Sequence, residues 1–311
     1  MDPLQNKIVL VTRHTRLEDL VARFNTLEQA KFYVEHLGAD FSDYEVEDRT
    51  YHQVITEAEK VLVRFGRVQR LDRAFLPNFI FPQHTPVVVI GQDGLVANTL
   101  KYLQGQPIVA VNPDPARWDG VLLPFKPDDL AKVMPEALAN KRPTHSISMA
   151  CAKLNDGQSL YAVNDLFIGP KSHVSARYAI RLGDKTEHHS SSGIIVSTGL
   201  GSSGWFRSVL TGACHIAAGS AAKEINMLRE QGFAWESPYL YFSVREPFPS
   251  NVTGTDLVFG KVDAETPLRI VSEMPDYGVI FSDGIEADFM EFNSGMEARI
   301  EPADRTGLLI N

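Results

Sequence analysis

Acidic side chains and small hydroxyls set beside glycine, at places where an apolar run gives out, are the residues of this chain best suited to chemistry. The first such place is Val87 to Leu100 (VVVIGQDGLVANTL), where four β-branched residues run into Gly91, Gln92, Asp93 and Gly94 and a helical pattern begins at Leu95. Strand, glycine turn and helix in that order let backbone N–H groups approach a phosphate, and the start of the helix favours negative charge. Asp93 would repel a phosphate there. Its chemical uses are to hold Mg²⁺ or to take a proton from an attacking hydroxyl, and the plain alternative is a common Asp-Gly turn.

A second stretch, Ser190 to Trp205 (SSSGIIVSTGLGSSGW), again passes from a β-branched run into a polar glycine loop and then a helical pattern. Its hydroxyls and free amides suit a nucleotide or phosphate, although the lysine of a P-loop is absent and a flexible connector has the same composition. Asn164 and Asp165 close the apolar run that begins at Leu160. Their carboxamide and carboxylate suit a base edge and a ribose hydroxyl, or an Asx turn. Asp283-Gly284 carries the same ambiguity. Asn112 follows the run Ile108 to Val111, and in a parallel sheet it shares an edge with the Gly91 turn. Asp184, Glu187, His188 and His189 offer metal-ligand types without a fixed spacing, so a solvated loop is expected and no metal ligand is assigned.

The elements that must position these groups change character partway along the chain. Strand patterns at Ile8 to Val11, Val87 to Ile90 and Ile108 to Val111 alternate with helical patterns over Arg16 to Leu37, around Val54 to Phe65, over Leu95 to Leu103 and over Asp128 to Ala139. That rhythm implies parallel strands with helical crossovers, an α/β domain over 1–143. From about Ser146, short β-rich runs follow one another: Ser146 to Leu154, Leu160 to Ile168, Ala176 to Leu182, Ile194 to Thr198, Tyr239 to Val244, Leu268 to Ser272, Gly278 to Ser282 and Ala298 to Glu301. A β-rich domain over 144–300 is expected, interrupted by one helical interlude from Ser202 to about Gln231. The apolar tail within about 300–311 is expected to pack back on the first domain.

At 311 residues, with 44% hydrophobic and 22% charged residues, the chain can bury its cores without staples. A formal net charge of -9 argues against a nucleic-acid or anionic-membrane partner. Two cysteines in no CxxC arrangement suggest buried thiols, and the N-terminal residues lack the signature of a signal or transit peptide. A cytoplasmic protein is expected.

Taken together and in order, the motifs resemble those of the NAD kinase family. GQDGL at Gly91 to Leu95 is similar to the family's GGDGT loop, Asn164-Asp165 to its asparagine-acidic pair, and TGLGSSGW at Thr198 to Trp205 to its TPTGSTAY-type loop. VNPDPARWDG, AVNDLFIG, SSGIIVSTGLGS and FSVREPF resemble the mitochondrial and plant-type NADH kinase branch. The resemblance spans the chain from about Val87 onward. It implies a two-domain fold, and ATP·Mg²⁺-dependent phosphorylation of the adenosine-ribose 2′-hydroxyl of NAD or NADH, with Asp93 as general base. It places Gly91, Gln92, Gly94, Leu95, Asn112, Asn164, Asp165, Ser192, Thr198, Gly201, Ser202, Ser203, Gly204 and Trp205 at the nucleotides. It also implies a homodimer, for which the small-residue helix after Ser202 is the candidate contact. Gln92 and Leu95 stand where the family has glycine and threonine, and Trp205 where it has tyrosine. Lipid kinases share the GGDGT loop, so a lipid or other hydroxyl acceptor, or a non-catalytic dinucleotide binder, is the competing reading.

Overall fold

The computed structural model describes residues 6–83, 85–217, 223–285 and 288–311. The chain forms two compact units, Met1–His145 with Leu308–Asn311, and Ser146–Gly307.

The first unit is α/β. Its strands are β1 (Lys7–Thr12), β2 (Arg67–Asp72), β3 (Val87–Ile90) and β4 (Pro107–Val111), and its helices α1 (Arg16–Phe24), α2 (Leu27–His36), α3 (Ser42–Leu62), α4 (Asp93–Leu100) and α5 (Leu130–Leu138). The sheet order is β2-β1-β3-β4, all parallel. Leu308 and Leu309 then pair with Pro107 and Ile108, which gives the apolar tail its partner. All four residues of β3 are fully buried, as a strand covered on both faces requires. Val54, Ile55, Ala58 and Leu62 put one face of α3 onto that sheet.

Two local readings change here, and one strand, β2, appears where none is expected. The single helix expected over Arg16 to Leu37 is α1 and α2, because Asn25 turns left-handed (φ 67°) and Thr26 starts a new helix by accepting the Gln29 N–H. β2, RVQRLD, is an edge strand whose polar residues show no alternation. Helix α4 begins at Asp93, so the acidic residue lies inside the first turn rather than before it.

The second unit is β-rich. It contains β5 (Thr144–Leu154), β6 (Ser159–Ala162), β7 (Asp165–Pro170), β8 (Ala176–Leu182), β9 (Lys185–Ser191), β10 (Ile194–Ser197), α6 (Trp205–Ile216), α7 (Lys223–Gln231), β11 (Leu240–Val244), β12 (Phe259–Val262), β13 (Leu268–Ser272), β14 (Gly278–Ser282), β15 (Phe289–Glu291) and β16 (Glu297–Ile310). One antiparallel sheet has the order β12-β11-β10-β7-β14-β15. In the other, β16, β13, β8 and β9 run side by side, with β5 and β6 joined through β16. Ile168, Val196 and Phe242 of the first meet Tyr178, Ile270 and Ile300 of the second in one core.

Here too the pattern is corrected in places. The run Leu160 to Ile168 is two strands: Asn164 lies between them, and Asp165 opens β7 instead of ending a strand. The segment Asp184 to His189, expected as a solvated loop, mostly forms β9, which pairs with β8 from Lys185 to Ser191. His189 is buried there, and Glu187 accepts its Nε2 as well as the Asp256 and Leu257 N–H groups. The helical interlude is α6 and α7, and residues 218–222 of its small-residue stretch lie outside the described residues.

Candidate functional site

In the first unit the expected residues gather at the carboxyl ends of β3 and β4. Tyr51 of α3 anchors that edge. Its hydroxyl donates to the Ile90 carbonyl (2.8 Å) and accepts the Arg13 N–H (3.0 Å), which ties the ends of β1 and β3 together. Beyond Ile90, Gly91 donates to the Val111 carbonyl, and Gln92 accepts the Leu95 and Val96 N–H groups with its carbonyl. The Asp93 carboxylate is held from the facing loop: it accepts Leu122 N–H at 2.8 Å and Val121 N–H at 3.1 Å. Gly94 is exposed, whereas Leu95 is buried and packs over Gly91, where a Cβ would meet its Cδ2 at 2.7 Å.

Asn112 is buried and organises the loop that reaches Asp93. It donates from Nδ2 to the Trp118 carbonyl (2.8 Å) and accepts the Asp114 N–H (3.1 Å), an Asx turn inside the VNPDPARWDG segment. At the end of β1 the guanidinium groups of Arg13 and Arg16 both reach the buried carboxylate of Glu47. Burial pushes that carboxyl up, and the two arginine hydrogen bonds outweigh it and hold it below the usual range. Asp43 pairs with Arg16 and Arg117, each at 2.7 Å. The arrangement can orient a carboxylate beside a glycine turn, and the guanidinium groups at the strand ends are each paired with a carboxylate.

In the second unit a different set of strand ends meets. Antiparallel pairing of β10 and β14 on either side of β7 brings the end of β10, the end of β14 and the start of β7 to one edge. Thr198 accepts nothing from the Val163-Asn164 segment but donates to it: its Oγ1 reaches the Val163 carbonyl at 2.6 Å and its N–H the Asn164 carbonyl at 2.9 Å. Thr198 Oγ1 in turn accepts the Gly201 N–H (3.1 Å), and Ser202 Oγ donates to the Gly199 carbonyl (2.6 Å). From the opposite side, Asp283 accepts the N–H groups of Val163 (3.0 Å), Asn164 (2.6 Å) and Asp165 (3.3 Å) on one carboxylate oxygen. These bonds take the amides of residues 163–165 out of the ladder, which is why β6 and β7 are separate strands.

The Asp165 side chain is buried at this edge and has no hydrogen-bond partner among the described residues. Burial first, and the Asp283 charge second, push its carboxyl up to about 7. Trp205, the first residue of α6, stacks on Phe167 of β7 with ring centroids 5.7 Å apart and planes 14° apart, and the Arg245 guanidinium lies 5.4 Å from its ring. Ser203 and Gly204 are exposed before it.

Ser192 stands apart from this cluster. It precedes β10, at the end away from Thr198, and its N–H donates to the Arg245 carbonyl (2.9 Å), so it connects to Trp205 through Arg245. Reasoning from the sequence leaves Asp283 as an ambiguous strand-terminal turn and does not single out Phe167 or Arg245. Only Asp283 carried a signal, its strand-terminal Asp-Gly. Among the described residues, one group of side chains has metal-ligand types within 4.8 Å of one another, Glu18, Asp48 and His52. It belongs to α1 and α3, and both carboxylates are already engaged by Thr15.

No family model matches this chain, and no curated protein matches it. Solved structures do. An NAD kinase from Archaeoglobus fulgidus in complex with ATP aligns over 98% of this chain and 93% of its own, with a TM-score of 0.56 at 14% identity. Yeast NADH kinase complexed with NADH aligns over 98% of this chain and 83% of its own, with a TM-score of 0.54 at 13% identity. The chain therefore has an NAD kinase-like fold, with an α/β N-terminal and a β-rich C-terminal domain. Among the described residues no helix is long and apolar enough to cross a membrane.

Proposed function

We propose that the chain is an NAD(H) kinase-like phosphotransferase that moves a phosphoryl group from ATP to the adenosine-ribose 2′-hydroxyl of NAD or NADH. The observation that carries this reading is the edge of the β-rich unit. There Asn164-Asp165, the Thr198 to Trp205 loop and Asp283 are hydrogen-bonded into one constellation beside a stacked Trp205. A buried carboxyl with no side-chain hydrogen bond among the described residues suits a ribose hydroxyl at such an edge, and an aromatic face suits a planar base. The fold shared with structures holding ATP and NADH supports the same reading, as does the motif order resembling the mitochondrial and plant-type branch.

In this reading Asp93 takes the proton of the hydroxyl. Two backbone N–H groups fix its carboxylate, and each oxygen retains a lone pair for that proton or for Mg²⁺. Asp93 is the acidic group at the glycine turn that fits the ion; Mg²⁺ bound with ATP would neutralise charge on the transferring phosphoryl group. The backbone N–H groups of the glycine turn would hold the phosphates. A homodimer using α6 and a cytoplasmic location complete the proposal.

The test is formation of NADP or NADPH from ATP·Mg²⁺ and NAD or NADH, read with a specific dehydrogenase. Product should form with the wild type and fall by about 100-fold or more with Asp93→Asn. A second reading, a dinucleotide-binding protein without transfer, is favoured by Leu95 filling the space over Gly91. Dinucleotide binding with no product at any ATP concentration selects it.

A further inference from the structure

We propose that Asp283 is a positioning residue of the dinucleotide site, whose carboxylate gathers the backbone amides of Val163, Asn164 and Asp165 and so sets both the place and the charge environment of Asp165. The inference rests on the functional reading above for the identity of the ligand, but the clamp itself rests on geometry alone. Asp283 has a left-handed backbone (φ 55°), which lets its own N–H donate to the Asp165 carbonyl (2.9 Å) while its carboxylate turns back onto the three amides. The peptide groups of Val163 and Asn164 are thereby held on both sides: their N–H groups by Asp283, their carbonyls by Thr198. Gly201 closes the same space, since a Cβ there would lie 2.0 Å from the Asn164 carbonyl oxygen. A segment pinned from both faces cannot shift without breaking charge-assisted bonds, so Asn164 and Asp165 project from a fixed frame.

The same carboxylate is the charged group that acts on Asp165 among the described residues. A negative charge beside a buried carboxyl favours its neutral form, in which it donates as well as accepts a hydrogen bond. Asp283 therefore couples dinucleotide binding to pH through Asp165. Neutralising Asp283 should move that dependence to lower pH, an effect that simple loosening of the turn does not produce.

The experiment uses the full chain and three readouts. Hydrogen exchange at the amides of residues 163–165 should accelerate by roughly tenfold or more in Asp283→Ala, the scale of a lost charge-assisted bond, and by less in Asp283→Asn, which keeps one acceptor. The Asp165 carboxyl, followed by carbon NMR and assigned by its loss in Asp165→Asn, should titrate at lower pH in Asp283→Asn than in the wild type. Calorimetric titration with NAD between about pH 5 and about pH 9 should show the midpoint of the affinity profile moving the same way. Unchanged exchange in Asp283→Ala, or an unmoved Asp165 titration in a folded Asp283→Asn, overturns the inference. If the Asp283 variants show the two ligand-free effects but the wild type binds neither NAD nor NADH, the clamp stands and the dinucleotide reading is rejected.

Discussion

Glycines are where single residues decide most here, and they do so through what a side chain would strike. Gly201 and Gly212 lie eleven residues apart by the numbering and have opposite requirements. A Cβ on Gly201 would lie 2.0 Å from the Asn164 carbonyl oxygen, a backbone atom that Thr198 and Asp283 keep from moving away, whereas a Cβ on Gly212 meets nothing within 4 Å. Gly201→Ala should therefore cost about 1–3 kcal/mol and weaken NAD binding, while Gly212→Ala, inside α6, should gain about 0.5–1 kcal/mol. Thermal unfolding and calorimetric NAD titration of the two variants check this pair, and equal, small effects would show that the turn is not tightly held. At this scale the sequence shows residue types and not what they touch. Asp93, Asn164, Asp165 and the Thr198 loop are chemically conspicuous, but the clamp by Asp283 depends on strand ends separated by more than a hundred residues. A lone Asp-Gly reads as a turn whatever its carboxylate touches.

Elements follow the same division between local and long-range signals. Of α3 (Ser42–Leu62) only the second half is legible, around Val54 to Leu62, whereas β3, β4 and β13 carry apolar patterns strong enough to be read directly. β2 and β9 do not, because RVQRLD and KTEHHSS take their strand form from neighbours, six and seven paired residues respectively, and not from a buried apolar face of their own. The break between α1 and α2 is the most testable case. Apolar spacing continues through it, so periodicity predicts one helix, but Asn25 is left-handed and Thr26 caps α2. If one helix ran through, Asn25→Ala would stabilise it. With the break in place, Asn25→Ala should destabilise by about 1 kcal/mol, Asn25→Gly should be near neutral, and Thr26→Ala should cost about 0.5–2 kcal/mol. Chemical denaturation of the three variants separates the two architectures by sign.

At the scale of the whole molecule, Glu47, Glu187 and Glu301 on one side and Asp165 on the other have opposite dependence on pH. Burial pushes Glu47, Glu187 and Glu301 up, but hydrogen bonds from arginine, lysine, histidine or backbone N–H groups prevail and hold them below the ordinary value of 4.5. Their stabilisation is complete above that value and is lost as pH falls through their lower folded-state values. Asp165 is raised from 3.8 to about 7, so between those limits the folded chain keeps a proton that the unfolded chain has released. Stability then declines as pH rises through that window, by up to ~1.4 kcal/mol per pH unit, and the penalty is complete above it. The melting temperature should peak on the acid side of neutrality, above about pH 4.5, and fall toward about pH 8. Because the isoelectric point is near 5.5, the scan belongs at low protein concentration. Asp165→Asn, which cannot ionise, should flatten the alkaline arm and leave the acid arm in place, whereas Glu47→Gln should weaken the acid arm alone. A wild-type profile that is flat from about pH 5 to about pH 8, or an Asp165→Asn profile that keeps the full decline, would place the titrating group elsewhere and remove Asp165 as the carrier of that proton.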